Sequence, residues 1–196
     1  MPITRTAPAD YPVHDLIAER WSPYSFDARP LPIEELRSLF EAARWSASSY
    51  NEQPWRFLVA QRENEAEFER MLSCLVEPNQ AWAKNASVLA LSVVSTQFSR
   101  NGKPNGCAAH DVGMASAHLV FEATARGLHV HQMAGILPEL AQELYAVPDG
   151  CKVLTGIAIG YAAEQSLDDF AGRESNPRSR KAQADFLFSG SWEKPF

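Results

Sequence analysis

The chain has 196 residues, enough for one domain that buries most of what its unfolded form exposes. Hydrophobic residues make up 45% and charged residues 21%, and Gly (10) and Pro (13) are not in excess, which excludes collagen, coiled coil and intrinsic disorder. A formal net charge of −6 argues against a nucleic-acid binder built on phosphate neutralisation. The longest mainly apolar run, from Val88 to Val94, is far too short for a membrane helix, and the start of the chain lacks the apolar stretch of a signal peptide. The expectation is a cytoplasmic protein with no nucleic-acid or membrane partner.

In chain order, Pro8-Ala9-Asp10 is a helix entry, and Val13, Leu16 and Ile17 recur at helical spacing until the pattern stops between Arg20 and Pro23. A second helix begins at Pro32, with proline in its first turn and Glu34 and Glu35 near the positive end of the dipole. Ile33, Leu36, Leu39, Phe40 and Ala43 form its expected inner face. Ser46 to Gln53 reads as polar loop, Trp55 to Gln61 as a short strand, and Phe68, Met71, Leu72 and Leu75 as a third helix. Val88 to Ser95 reads as a strand buried on both faces, followed by an exposed loop from Ser99 to Gly106. The longest helix is expected over Ala108 to Arg126, with Val112, Ala115, Leu119, Val120 and Ala123 inward and Gly127 capping its end. His129 to Met133 is a strand, Leu137 to Tyr145 a helix with Pro138 at its start, and Val153 to Gly160 a strand. After Tyr161 the chain turns polar, with Asp168, Asp169, Arg173, Glu174 and the basic run Arg178 to Lys181, and ends in aromatics that need something to pack on.

Common catalytic signatures are missing: no Gly-rich dinucleotide or phosphate loop, no H-E-x-x-H and no G-x-S-x-G. Cys74, Cys107 and Cys151 are too far apart for a C-x-x-C pair and read as buried thiols. His129 and His131 share one strand face but lack a third ligand, so no metal site is expected. Asp111 sits where the helix dipole favours an anion, and the sequon at Asn85 has no consequence in a cytoplasmic protein.

Two polar clusters remain: Arg20-Trp-Ser22-Pro-Tyr24, and Ser48-Ser49-Tyr-Asn51-Glu-Gln53-Pro-Trp55. Each alone is consistent with a helix end or a structural loop. Together, in this order, they resemble the FMN-dependent nitroreductase family, whose members carry an Arg-x-Ser element and later an Ala-x-x-(Ala/Pro)-Ser-Ser-x-Asn-x-Gln-Pro-Trp element. Here the second stands at Ala43 to Trp55. The likeness continues through Trp82 to Ala86, Asp111 to Ala115, Ala125 to Leu128, His131 to Gly135 and Gly156 to Tyr161.

The resemblance implies an α+β nitroreductase-like fold: a central, mainly antiparallel sheet flanked by helices, in a single domain over residues 1–196. Its extended C-terminal segment, 161–196, would pack on the partner subunit of a homodimer. It implies FMN as cofactor, NADH or NADPH as electron donor, and a nitroaromatic, quinone or similar small molecule as acceptor, reached by ping-pong hydride transfer. No side chain is then expected to be catalytic, since the cofactor carries the chemistry. The FMN phosphate suits guanidinium and hydroxyl donors, here Arg20, Ser22, Arg178 and Arg180, with Lys181 an alternative register. The flavin's pyrimidine edge suits Ser48, Ser49, Asn51, Gln53 and Asn79, and backbone at Met133, Ala134 and Gly135 would approach the ring. Arg20, Ser22 and the tail arginines would come from one subunit and the Ser48 to Asn51 loop from the other. Two departures stand out: Tyr24 occupies a position where many relatives carry Lys or Arg at the flavin, and Ala47 one where they carry proline. A family offshoot with another flavin reaction, a non-catalytic flavin-binding protein, and an α/β domain without flavin are the alternatives.

Overall fold

Residues 5–167 and 170–196 are described in a computed structural model of the chain. The first four residues, and Asp168 and Asp169 of the polar tail, lie outside the described residues. The first helix, α1 (Asp15–Glu19), is shorter than its periodicity suggests: His14 caps it by accepting the Leu16 N–H, and Pro8 to Val13 stays non-helical. A two-residue strand, β1 (Phe26–Asp27), follows, then α2 (Ile33–Arg44), whose Leu36, Leu39 and Ala43 are buried as expected while Ile33 faces outward. After a 3-10 turn at Ser49–Asn51 come β2 (Trp55–Gln61) and α3 (Glu65–Ser73), which Asn64 caps. Leu75 lies past the end of α3 and bridges to Ile136.

The helix α4 (Glu77–Ala83) is set by Pro78 in its first turn and was not evident from periodicity, because only Trp82 and Ala83 of it are buried. The strand β3 (Val88–Ser95) is buried along almost its whole length, as its unbroken valine-rich pattern requires. The long helix α5 (Ala108–Ala125) buries all five of the residues expected inward. Its end is closed by Gly127 at φ +69°, a conformation that favours glycine, with Leu128 N–H returning to the Ala123 carbonyl. Then follow β4 (His129–Met133), α6 (Pro138–Leu144) and β5 (Cys151–Ala162), which extends beyond the expected Val153 to Gly160 at both ends. A short helix, α7 (Ala171–Ser175), and a 3-10 turn at Gln183–Asp185 interrupt the tail.

Among the described residues every strand pairing is antiparallel. The sheet runs β1, β5, β3, β2, and β4 also pairs with β5. Side chains alternate across β3, so Leu89, Leu91 and Val93 join Phe68, Met71 and Trp82 on one face, while Val88, Ala90 and Val94 join Leu39, Leu119 and Val120 on the other. Ser92 interrupts the apolar strand but is satisfied by the Thr155 hydroxyl at 2.7 Å. All three cysteines are free thiols, but only Cys74 is buried; Cys107 is exposed, and Cys151 is half-buried against the core at the start of β5. No helix among the described residues is long and apolar enough to cross a membrane.

Candidate cofactor site

The chain leaves α1 at Arg20, where the backbone turns extended, and this directs Arg20 and Ser22 toward β4 and the middle of α5. Arg20 Nη1 donates to the Ser22 hydroxyl at 3.1 Å. Both line a cavity of about 400 Å³ whose apolar wall comes from Ala117, Val120 and Phe121 of α5 and Val130 of β4, and Arg180 from the tail closes it. Burial, and then the charges of Arg178 and Arg180, depress the pKa of Arg20. Arg178 is anchored from Nη1 on two main-chain carbonyls, those of Arg5 and, at 2.8 Å, Ala18. Arg20, Arg178 and Arg180 are thus gathered although far apart in sequence, and no carboxylate among the described residues pairs with any of them. Like charges held together without a counter-charge make a site for a multivalent anion.

The second polar cluster lies elsewhere in the chain, at the start of α5. Tyr50, Asn51 and Gln53 have φ of 54°, 55° and 53°, a strained run for residues with side chains. Side chains help hold it: Ser49 N–H donates to Asp111 at 3.0 Å, Gln53 N–H to the Ser48 hydroxyl at 3.0 Å, and Ser99 N–H to the Glu52 carboxylate at 2.7 Å. The Gln53 amide also donates to the Asn51 carbonyl at 3.0 Å. Ser48 and Gln53 therefore shape the loop, and Asn51 presents an exposed amide. Asp111 is only 2% exposed, so its place in the first turn of α5 does more than complement the dipole: it pins a loop sixty-two residues away in sequence.

Asn79, Met133, Ala134 and Gly135 do come together. The Asn79 amide donates to the Gly135 carbonyl at 2.9 Å, and a Cβ at Gly135 would collide with Asn79 and lie 2.8 Å from Val76. The missing side chain at Gly135 thus admits Asn79, which is a packing reason for the glycine. Met133 is buried in the core and Ala134 exposed. Tyr24 is stacked on Phe170 at 5.4 Å and meets His131 at 4.8 Å and Trp82 at 5.3 Å edge-on. Burial lowers the pKa values of His129 and His131, which keeps both imidazoles neutral near pH 7; His131 Nδ1 donates to the Pro23 carbonyl at 2.8 Å.

One determinant had no signal in the sequence. Glu174 of α7 is buried and accepts the Tyr24 N–H at 2.7 Å, the Ser25 N–H at 2.8 Å and the Ser25 hydroxyl at 3.0 Å. Glu174 and Arg178 therefore tie this part of the tail to its own chain, and beyond Arg178 almost every residue is exposed. A larger groove, about 760 Å³, runs between α2, β2 and α3, and none of the expected site residues lines it.

The family model described as Nitroreductase family matches residues 17–161. A solved structure described as an oxidoreductase containing FMN superposes with a TM-score of 0.89 at 37% identity, over 98% of each chain. A putative NADH dehydrogenase/NAD(P)H nitroreductase from Parabacteroides distasonis shares the fold, with a TM-score of 0.70 at 20% identity over 90% of this chain and 96% of that one. The Major NAD(P)H-flavin oxidoreductase of Aliivibrio fischeri is 24% identical over 89% of this chain and 96% of its own length.

Proposed function

The chain belongs to the nitroreductase family, and from that premise we propose that it is an FMN-dependent oxidoreductase, carrying hydride from NADH or NADPH to a nitroaromatic, quinone or similar small acceptor in a ping-pong reaction. The observation that carries this reading is the arginine cluster: Arg20 and Arg180 with Ser22 in one cavity, Arg178 beside them, and no carboxylate among the described residues to neutralise them. A phosphate dianion supplies the missing charge and accepts hydrogen bonds from all four groups. FMN held there would supply the hydride-transfer chemistry, for which the chain offers no side chain of its own.

The protein's part is to bind and orient. Arg20, Ser22, Arg178 and Arg180 hold the phosphate; Asn51, on a loop braced by Ser48, Ser49 and Gln53, offers its amide to the pyrimidine edge; Asn79 with the backbone of Met133 to Gly135 forms a further polar edge. The two polar clusters are separate within one protomer, which supports a homodimer in which one subunit's arginines and the other's Asn51 loop meet at one flavin. The outward apolar residues of the N-terminal region, Tyr11, Val13 and Ile17, and of the tail, Phe186, Trp192 and Phe196, supply surface for such an interface. The test is the absorption spectrum of the purified protein, followed by NADH and NADPH oxidation with a quinone or nitroaromatic acceptor. A released chromophore that chromatographs as FMN, with turnover, is the expected result. A colourless protein that does not take up added FMN overturns the flavin reading, and bound FMN without turnover overturns the enzymatic one.

A further inference from the structure

Arg5 does not line the cavity of Arg20 and Arg180, but it lies close enough to Arg178 that its charge, after burial and the charge of Arg180, depresses that residue's pKa. The Arg5 guanidinium lies over the Trp21 ring, 4.6 Å from the centroid, one residue from Arg20. Its main-chain carbonyl accepts from Arg178 Nη1, so the N-terminal segment is laid against two of the site's arginines. The Ala7 N–H donates to the Ala18 carbonyl at 2.8 Å, and Arg178 Nη1 reaches that same carbonyl at 2.8 Å; this fixes the segment at the end of α1.

Two of the Arg5 donors, Nε and Nη2, are buried and have no hydrogen-bond partner in the chain. Nearby, His129 Nδ1 is also buried without a partner, and its ring meets Trp21 edge-on at 5.3 Å. Guanidinium donors withdrawn from water and left empty are costly, and stacking on an aromatic face satisfies the charge but not the N–H groups. No carboxylate among the described residues pairs with Arg5. What would satisfy those donors is an anion rich in acceptor oxygens, the same requirement that Arg20, Arg178 and Arg180 pose together.

We infer that Arg5 is a further phosphate-holding residue: the fourth guanidinium of the cradle, donating from Nε and Nη2 to the phosphoryl group, while its carbonyl positions Arg178. This rests on the FMN reading above. Its chemical consequence is selectivity for a phosphorylated flavin over the same flavin without the phosphate. Trp21 is the surface that holds the guanidinium in place, so a lysine, whose ammonium lacks the planar fork, replaces it incompletely.

The experiment measures dissociation constants of FMN and riboflavin by fluorescence quenching for the flavin-free full-length protein and for Arg5→Gln, Arg5→Lys and Arg20→Ala. Riboflavin keeps the ring and ribityl chain and lacks the phosphate, so a merely structural effect moves both constants alike. The expected result is a preference for FMN that falls about tenfold in Arg5→Gln, less in Arg5→Lys, with riboflavin binding and the melting temperature of the flavin-free protein little changed. An unchanged FMN-to-riboflavin ratio in Arg5→Gln, with the ratio collapsed in Arg20→Ala, overturns the role of Arg5 and leaves the FMN reading standing. A parent protein that binds neither flavin, or binds both equally, overturns the FMN phosphate reading itself and the role of Arg5 with it. Should Arg5→Gln misfold, the ratio in Arg5→Lys decides: a lowered preference supports the inference, an unchanged one overturns it.

Discussion

Glu174 shows how much one buried carboxylate can organise. Burial by itself would raise its pKa, but hydrogen bonds from Ser166, from the backbone N–H groups of Ser25 and Tyr24, and from the Ser25 hydroxyl together hold it below its ordinary value. Because the folded pKa lies under the unfolded one, Glu174 contributes stability that is fully present above about pH 4.3 and is lost as pH falls through the folded value. Glu174→Ala strands the N–H groups of Tyr24 and Ser25, at about 1–3 kcal/mol for each buried donor left unpaired. Each kcal/mol corresponds to about 2–4 °C in a chain of this size. Thermal melts should therefore show the variant several degrees less stable than the parent from pH 7 to pH 5, with the gap closing in stronger acid. A gap that persists unchanged in strong acid would count against the ionised carboxylate as its cause.

Among the elements, the Ser48 to Gln53 loop and the start of α5 act as a unit. Three residues at positive φ persist only where the surroundings over-determine them, and here Asp111 of α5 supplies one of the restraints. Asp111→Ala removes the acceptor of the Ser49 N–H. Faster hydrogen exchange is expected at Ser49 and its neighbours, together with weaker flavin binding, while the far-UV circular dichroism of α5 stays intact. Protected amides in that variant would show that the loop holds its strain without Asp111. The motif itself was legible as a polar interruption before a tryptophan. Its strain was not, because neither Tyr50 nor Gln53 is a residue that signals a left-handed conformation.

On the scale of the whole molecule, the tail divides at Arg178. Up to it, Glu174 and Arg178 are tied down, the latter by its bonds to the carbonyls of Arg5 and Ala18; the part after it exposes Phe186, Trp192 and Phe196, the last two 81% and 87% accessible. Truncation after Ala182 should leave a folded chain that sediments as a monomer, where the proposed homodimer predicts that the parent sediments as a dimer. An unchanged dimer would show that the interface does not need the aromatic end. The separation of the Arg20 cavity from the Asn51 loop makes the same experiment informative about the flavin, since a monomer should retain FMN poorly.

The sequence by itself determined the α+β class, the long strand Val88 to Ser95, the inward face of the helix expected over Ala108 to Arg126 and the family, because periodicity and short motifs report local backbone geometry and chemistry. It also marked Arg20, Ser22, Arg178 and Arg180 by type. Only the tertiary structure decided that these arginines gather without a carboxylate among the described residues, that Asn79 fills the space left by Gly135, that Asp111 braces the Ser49 loop, that Glu174 holds the backbone of Tyr24 and Ser25, and that the Arg5 carbonyl meets Arg178. Those relations join residues up to about 170 positions apart, and contacts that form only when the chain closes on itself leave no periodic or local trace in the order of its residues.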